Sequence, residues 1–227
     1  GFLALTANTT GASNNAFGAN SLDANTTGAN NIAVGNSALG ANSTGSFNTA
    51  IGDSALAANT TANDNVAVGQ SALDANTTGA SNVALGRDAL GANTTGASNT
   101  AVGHGCASSL STGTHNSLLG RDCAGSLTTG VENVLIGYLA GNNGVGQTTA
   151  TGNVIIGAKS APTSATADYS HGLGYDIDCA AGYTTLGVTT SDIRAQHGVA
   201  TWATVSDRRY KKEIVDSTAG LSFIKCR

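Results

Sequence analysis

Proline stands at one position, Pro162, methionine at none, and charged residues make up only 11% of the 227-residue sequence. With 31 glycines, this composition is unlike that of an ordinary enzyme. The formal net charge of -4 gives no reason to invoke nucleic acid or an anionic membrane as a partner. No apolar run is long enough to span a bilayer, so membrane insertion is not expected, and no signal peptide is visible. The chain begins at Gly1 already in register with the pattern described next, and so reads as a fragment. Cysteine is restricted to Cys106, Cys123, Cys179 and Cys226, without a CxxC or paired-histidine spacing, which argues against zinc. Calcium-binding solenoids need aspartate-rich glycine turns, and Asp23, Asp53, Asp74 and Asp88 are too scattered for that. Neither a metal nor a cofactor is expected.

What the chain does have is one phrase, Asn-x-Ala-apolar-Gly, repeated at a fixed step of seventeen residues. Its glycines are Gly18, Gly35, Gly52, Gly69, Gly86, Gly103, Gly120 and Gly137, and Asn14 to Asn133 keep the same step four places ahead. A further copy, Asn153 to Gly157, arrives three residues late, after a glycine-rich insertion over 141–152. A short fixed period marks a solenoid whose rungs stack through equivalent positions. The apolar residue before each glycine, such as Ile51, Val68 or Leu85, predicts a very short β-strand, because a helix cannot complete useful turns between such glycines. Ala50, Ala67 and Ala84 alternate with those large residues and are expected on the crowded side of each rung. Leu22, Leu39, Leu56, Leu73 and Leu90 give a second apolar stretch four residues after the glycine. The rung then turns through Asn-Thr-Thr-Gly, where Gly and Asn are expected to supply left-handed backbone.

Few large apolar side chains serve each rung, a thin return for ordering seventeen residues, and small residues line a second face. Such a column is better explained if the small face packs on copies of itself, so a homo-oligomer is expected. Cys106 and Cys123 are seventeen apart in the small position and should stack on adjacent rungs as packing residues. The Asn-x-Ser/Thr sequons at Asn8, Asn25, Asn42, Asn59, Asn76 and Asn93 read as corner residues copied with the repeat rather than as glycosylation sites. His104 and His115 read as rung-surface residues. Past Ala158 the period is expected to be lost, with 158–168 a polar connector, Tyr183 to Val188 a strand, and Trp202 a core residue of a neck.

The repeated Asn-x-Ala-apolar-Gly followed by Ser/Ala-Leu resembles the head repeats of trimeric autotransporter adhesins and the related repeats of bacteriophage tail fibres. The resemblance covers residues 1–157 and implies an all-β fold, a left-handed parallel β-roll with three chains side by side. A second resemblance lies in Ser206-Asp207-Arg208-Arg209-Tyr210-Lys211-Lys212-Glu213-Ile214, which is similar to the opening of the S74 intramolecular chaperone, a self-cleaving peptidase of phage fibres. It implies Ser206 as nucleophile and Lys211 as its basic partner in autocleavage, with no external substrate. Serine needs such a base, and a desolvated lysine can serve.

The organisation expected is therefore a β-roll over 1–157, a connector and β-rich trimeric neck over 158–205, and the start of a chaperone over 206–227. The function expected is that of a virion tail-fibre segment that adheres to a host surface. Its partners would be its own copies, other tail or fibre proteins and a surface receptor, a glycan among the candidates. A bacterial surface adhesin is the alternative, and a third reading makes the self-processing endopeptidase the main activity.

Overall fold

The computed structural model describes residues 1–142 and 148–199, together with the backbone of 202–204. Among these residues there is no helix, and the chain forms a parallel β-solenoid of about ten turns with rungs of about seventeen residues. Each rung contributes one three-residue strand: β1 (Asn15–Phe17), β2 (Ile32–Val34), β3 (Thr49–Ile51), β4 (Val66–Val68), β5 (Val83–Leu85), β6 (Thr100–Val102), β7 (Ser117–Leu119), β8 (Val134–Ile136) and β9 (Val154–Ile156). They pair in parallel in sequence order, Ala50 on Ala67 and Ala67 on Ala84. The strands stop where the glycine begins because Gly69 has φ 135° and lies so near the next rung that a Cβ would run into the Gly86 carbonyl.

The alternation within each strand sets inside against outside. Ala33, Ala50, Ala67, Ala84 and Ala101 are fully buried, the crowded side that the sequence predicts. Leu39, Leu56, Leu73 and Leu90 enter the same interior from the opposite wall, each at a positive φ near 52°. The large residues on either side of the alanines point outward, with Ile32, Val34, Ile51 and Leu85 more than a third exposed. The small face is thus the column's own interior. The face left open is the one with large apolar side chains, contrary to the expectation that small residues face another copy.

The corners are built differently from the sequence expectation as well. Asn25, Asn42, Asn59, Asn76 and Asn93 are fully buried and form a ladder. Asn76 Nδ2 donates to Asn59 Oδ1 at 3.0 Å and to the Gly79 carbonyl at 3.0 Å, and the same pair of bonds recurs along the stack. The corner glycines are needed for close approach, since a Cβ at Gly79 would strike the Gly96 carbonyl and Asn76 Oδ1. A second buried ladder runs through Asn31, Asn48, Asn65, Asn82, Asn99, Asn116, Asn133 and Asn153. In it Asn48 Oδ1 accepts from Asn65 N at 3.0 Å, while Asn65 Nδ2 donates to the Gly79 carbonyl at 3.0 Å. Thr60 and Thr77 add a third file, each hydroxyl donating to a carbonyl one rung on. Buried amides are tolerable because nearly every donor and acceptor is matched.

The interior changes composition at the rung that starts at Gly103. Leu110 and Leu127 replace the corner asparagine, Ala107 and Ala124 replace the leucine, and Leu118, Leu135 and Ile155 replace the strand alanine, all fully or almost fully buried. The ladder ends there: Asn93 Oδ1 is buried without a hydrogen-bond partner because the next rung presents Leu110.

The column does not stop at Gly157. Strand β11 (His171–Tyr175) pairs with β9 at a step of seventeen, His171 on Val154 and Leu173 on Ile156. The short strands β10 (Ala161–Pro162) and β12 (Asp178–Cys179) pair in parallel at the same step. The expected polar connector over 158–168 is therefore part of another rung, and Pro162 is buried within it. Strand β13 (Tyr183–Val188) adds in parallel to β11. Then β14 (Ser191–Gln196) and β15 (Trp202–Thr204) turn back antiparallel and finish the sheet. Asp192 and Arg194 of β14, ion-paired at 3.4 Å, and the fully buried Thr185 make a polar layer at this end.

Candidate functional site

Ser206 and Lys211 lie outside the described residues, and only the backbone of Trp202 is described, within β15. The sequon asparagines of the corner ladder, Asn25 to Asn93, are buried with their amide nitrogens bonded, so these nitrogens are not open to modification in the folded column.

Cys106 and Cys123 stack on adjacent rungs as expected, both as buried free thiols. The hydrogen bond with Cys106, then burial, pushes the Cys123 thiol up, far from the thiolate that nucleophilic chemistry requires. Burial likewise pushes the Cys179 thiol up to about 12. Both are packing groups. Among the described residues there is no group of three or more His, Cys, Asp or Glu able to hold a metal ion. His171 and His197 lie with ring centroids 4.6 Å apart where β11 meets the final hairpin, and Thr184 Oγ1 is 3.2 Å from His197 Nε2. Desolvation first, then the neighbouring His197, lowers the His171 pKa. His104 and His115 are exposed, as surface residues should be.

Two exposed features remain. One is the outer face of the sheet, two files of side chains flanking the buried alanines from Phe17 to Leu173. Ile32, Thr49, Val66, Val83, Thr100, Ser117, Val134 and Val154 form one file, and Val34, Ile51, Val68, Leu85, Val102, Leu119, Ile136 and Ile156 form the other. The second file is apolar at every rung.

The other feature is the corner just after the rung glycine. Arg87 Nε donates to Asp88 Oδ2 at 2.9 Å, and Arg121 Nε donates to Asp122 Oδ2 at 3.0 Å, the same arrangement two rungs apart. His104 Nδ1 lies 3.8 Å from Asp122 Oδ1 on the rung between them. The Arg121 guanidinium stands 5.8 Å from the Tyr138 ring centroid, and Lys159 Nζ 6.0 Å from that of Tyr175. The spacing of Arg87 and Arg121, twice the repeat step, is a sequence signal for this cluster, but it becomes readable as one edge only once the rungs are stacked.

No family model matches the sequence, and neither a curated protein nor a solved structure is similar to it. The class that fold and surface define is a parallel β-solenoid with an open apolar sheet face and polar corners.

Proposed function

We propose that this chain is a segment of a homotrimeric fibre, a phage tail fibre that extends toward a host surface and adheres to it. The observation that carries the reading is the outer face of β1 to β9. Its apolar file continues without a break over successive rungs, whereas monomeric soluble proteins rarely expose so large a contiguous apolar surface. Three columns set side by side as left-handed β-rolls would cover these faces on one another, and a uniform rung would let every copy use the same contacts. The Ser206 to Ile214 phrase favours a phage fibre over a bacterial surface adhesin. There a C-terminal chaperone would set the register of the three chains before Ser206, with Lys211 as its base, releases it. Lys211 is five residues from Ser206, too far for one extended strand to join their side chains, so self-cleavage would require the chain to fold back or another copy to supply the lysine. Self-cleavage is then an accessory to assembly.

Sedimentation equilibrium of the 227-residue chain tests the reading. The expected species is a trimer, which Val68→Lys on the outer file shifts toward monomer. A stable folded monomer of the unaltered chain would overturn it.

A further inference from the structure

Every lysine and arginine in the first 160 residues stands on one corner of the column. Arg87 and Arg121 occupy the place after the rung glycine, Lys159 is one place further on, and His104, Tyr138 and Tyr175 share the arginines' file. We propose that this corner binds an extended acidic saccharide, its carboxylates meeting Arg87 and Arg121 and its sugar rings lying on Tyr138 and Tyr175. The inference deepens the adhesive role proposed above and rests on it for the surface that such a saccharide would coat.

Each part of the ladder suits that ligand. The bonds to Asp88 and Asp122 use only the Nε donor of each arginine, leaving four of its five N–H groups, on side chains 59% and 67% exposed. Each aspartate takes the Nε edge and leaves the terminal nitrogens of the guanidinium to a ligand, and guanidinium binds a carboxylate in a planar, bidentate fashion. Arg87 and Arg121 are two rungs apart, about 10 Å at the usual strand spacing, so a linear ligand lying along the axis can reach both. Tyr138 and Tyr175 are 43% and 47% exposed and offer ring surface on which an apolar sugar face can lie.

Charge balance selects among anions. Arg87, Arg121 and Lys159 share the corner with Asp88, Asp122 and Asp176, and Asp53 stands in the arginines' own file two rungs before Arg87, so a densely charged polyanion gains little there. A sugar acid brings one carboxylate per ring and many hydroxyls. It can use the cations, the carboxylate acceptors and the aromatic faces together. The stacked rungs hold these groups in place beforehand, which lowers the ordering loss on binding.

Calorimetric titration of the 227-residue protein with a galacturonic acid tetramer tests this, with a glutamate tetramer and a neutral maltose-series tetramer run beside it. The galacturonate tetramer should bind, and the other two should bind at least about tenfold more weakly. Arg121→Ala and Tyr138→Ala should each weaken binding by about tenfold or more without moving the thermal midpoint, and Tyr138→Phe should retain it. Absence of binding at about 1 mM ligand, where a site with a Kd of about 1 mM is half filled, would overturn the proposal. So would equal binding of the glutamate tetramer, or wild-type binding by both alanine variants. Sedimentation of the same samples separates the two readings: a trimer that ignores the saccharide removes this site alone, and a monomer that binds it keeps the site and removes the trimeric fibre.

Discussion

A methyl group at Gly69 meets two obstacles, a φ of 135° that side chains avoid and the Gly86 carbonyl of the next rung. At Gly182 it meets one, a φ of 73°, with nothing within 4 Å of the added carbon. Gly69→Ala should therefore destabilise by about 2–6 kcal/mol, from backbone strain and overpacking together, and Gly182→Ala by about 1–2 kcal/mol. Urea unfolding of the two variants checks this, and equal shifts in midpoint would contradict it. Leu73 shows the converse arrangement. It accepts a φ of 53°, a strain of about 1–2 kcal/mol, because that backbone sends its side chain into full burial, worth about 1.5–3 kcal/mol. The seventeen-residue step made the strands and the alternation of alanine with large apolar residues legible from sequence alone, but not that the alanine face closes on the column's own interior. The corner asparagines were legible as corner residues but not as a ladder. Conformational preference belongs to one residue, whereas the bond from Asn76 to Asn59 is a relation between rungs that exists only once they are stacked.

Whole rungs exchange volume between positions. The rung with Leu90 and Asn93 is followed by one with Ala107 and Leu110 in the equivalent places, all buried in one interior. Leu110→Asn alone would leave space beside Ala107, and Ala107→Leu alone would overfill the rung beside Leu110. The double variant restores the pairing of the earlier rungs and lets position 110 donate to the orphaned Asn93 Oδ1. A double-mutant cycle on thermal or urea stability should show favourable coupling of about 0.5–3 kcal/mol between the two changes. Simple additivity would show that the exchange is incidental. The same kind of exchange hid an element from the sequence reading. On the rung after Gly157, Ser170 stands for the asparagine and Gly172 for the buried alanine or leucine. Gly172 is required because Cys179 Sγ fills the space its Cβ would take. A search keyed to side chains loses such a rung, while the backbone pairing of β9 with β11 keeps it. The corner ladder of Arg87 to Tyr175 was equally hard to see, because its members differ chemically from rung to rung.

At the scale of the molecule, each rung meets chiefly its two neighbours, so stability is close to a sum over rungs and their interfaces. Many of the backbone bonds, and the amide-to-amide bonds of the ladders, run from one rung to the next, as with Leu56 N and the Ala72 carbonyl, Gly69 N and the Ile51 carbonyl, or Asn76 Nδ2 and Asn59 Oδ1. These bonds lie along the column, and a column pulled by its two ends loads them in tension, one row after another, instead of shearing many rows together. The column should therefore unzip, each released rung adding a fully extended chain of seventeen residues less its former rise. That is a lengthening of about 50–56 Å per step. Force spectroscopy on a chain held at both termini should record a staircase of that increment at low, nearly even force. A single abrupt rupture of the whole array would contradict it. In the fibre proposed above, a column that yields by such equal increments would absorb a sudden pull through stepwise lengthening.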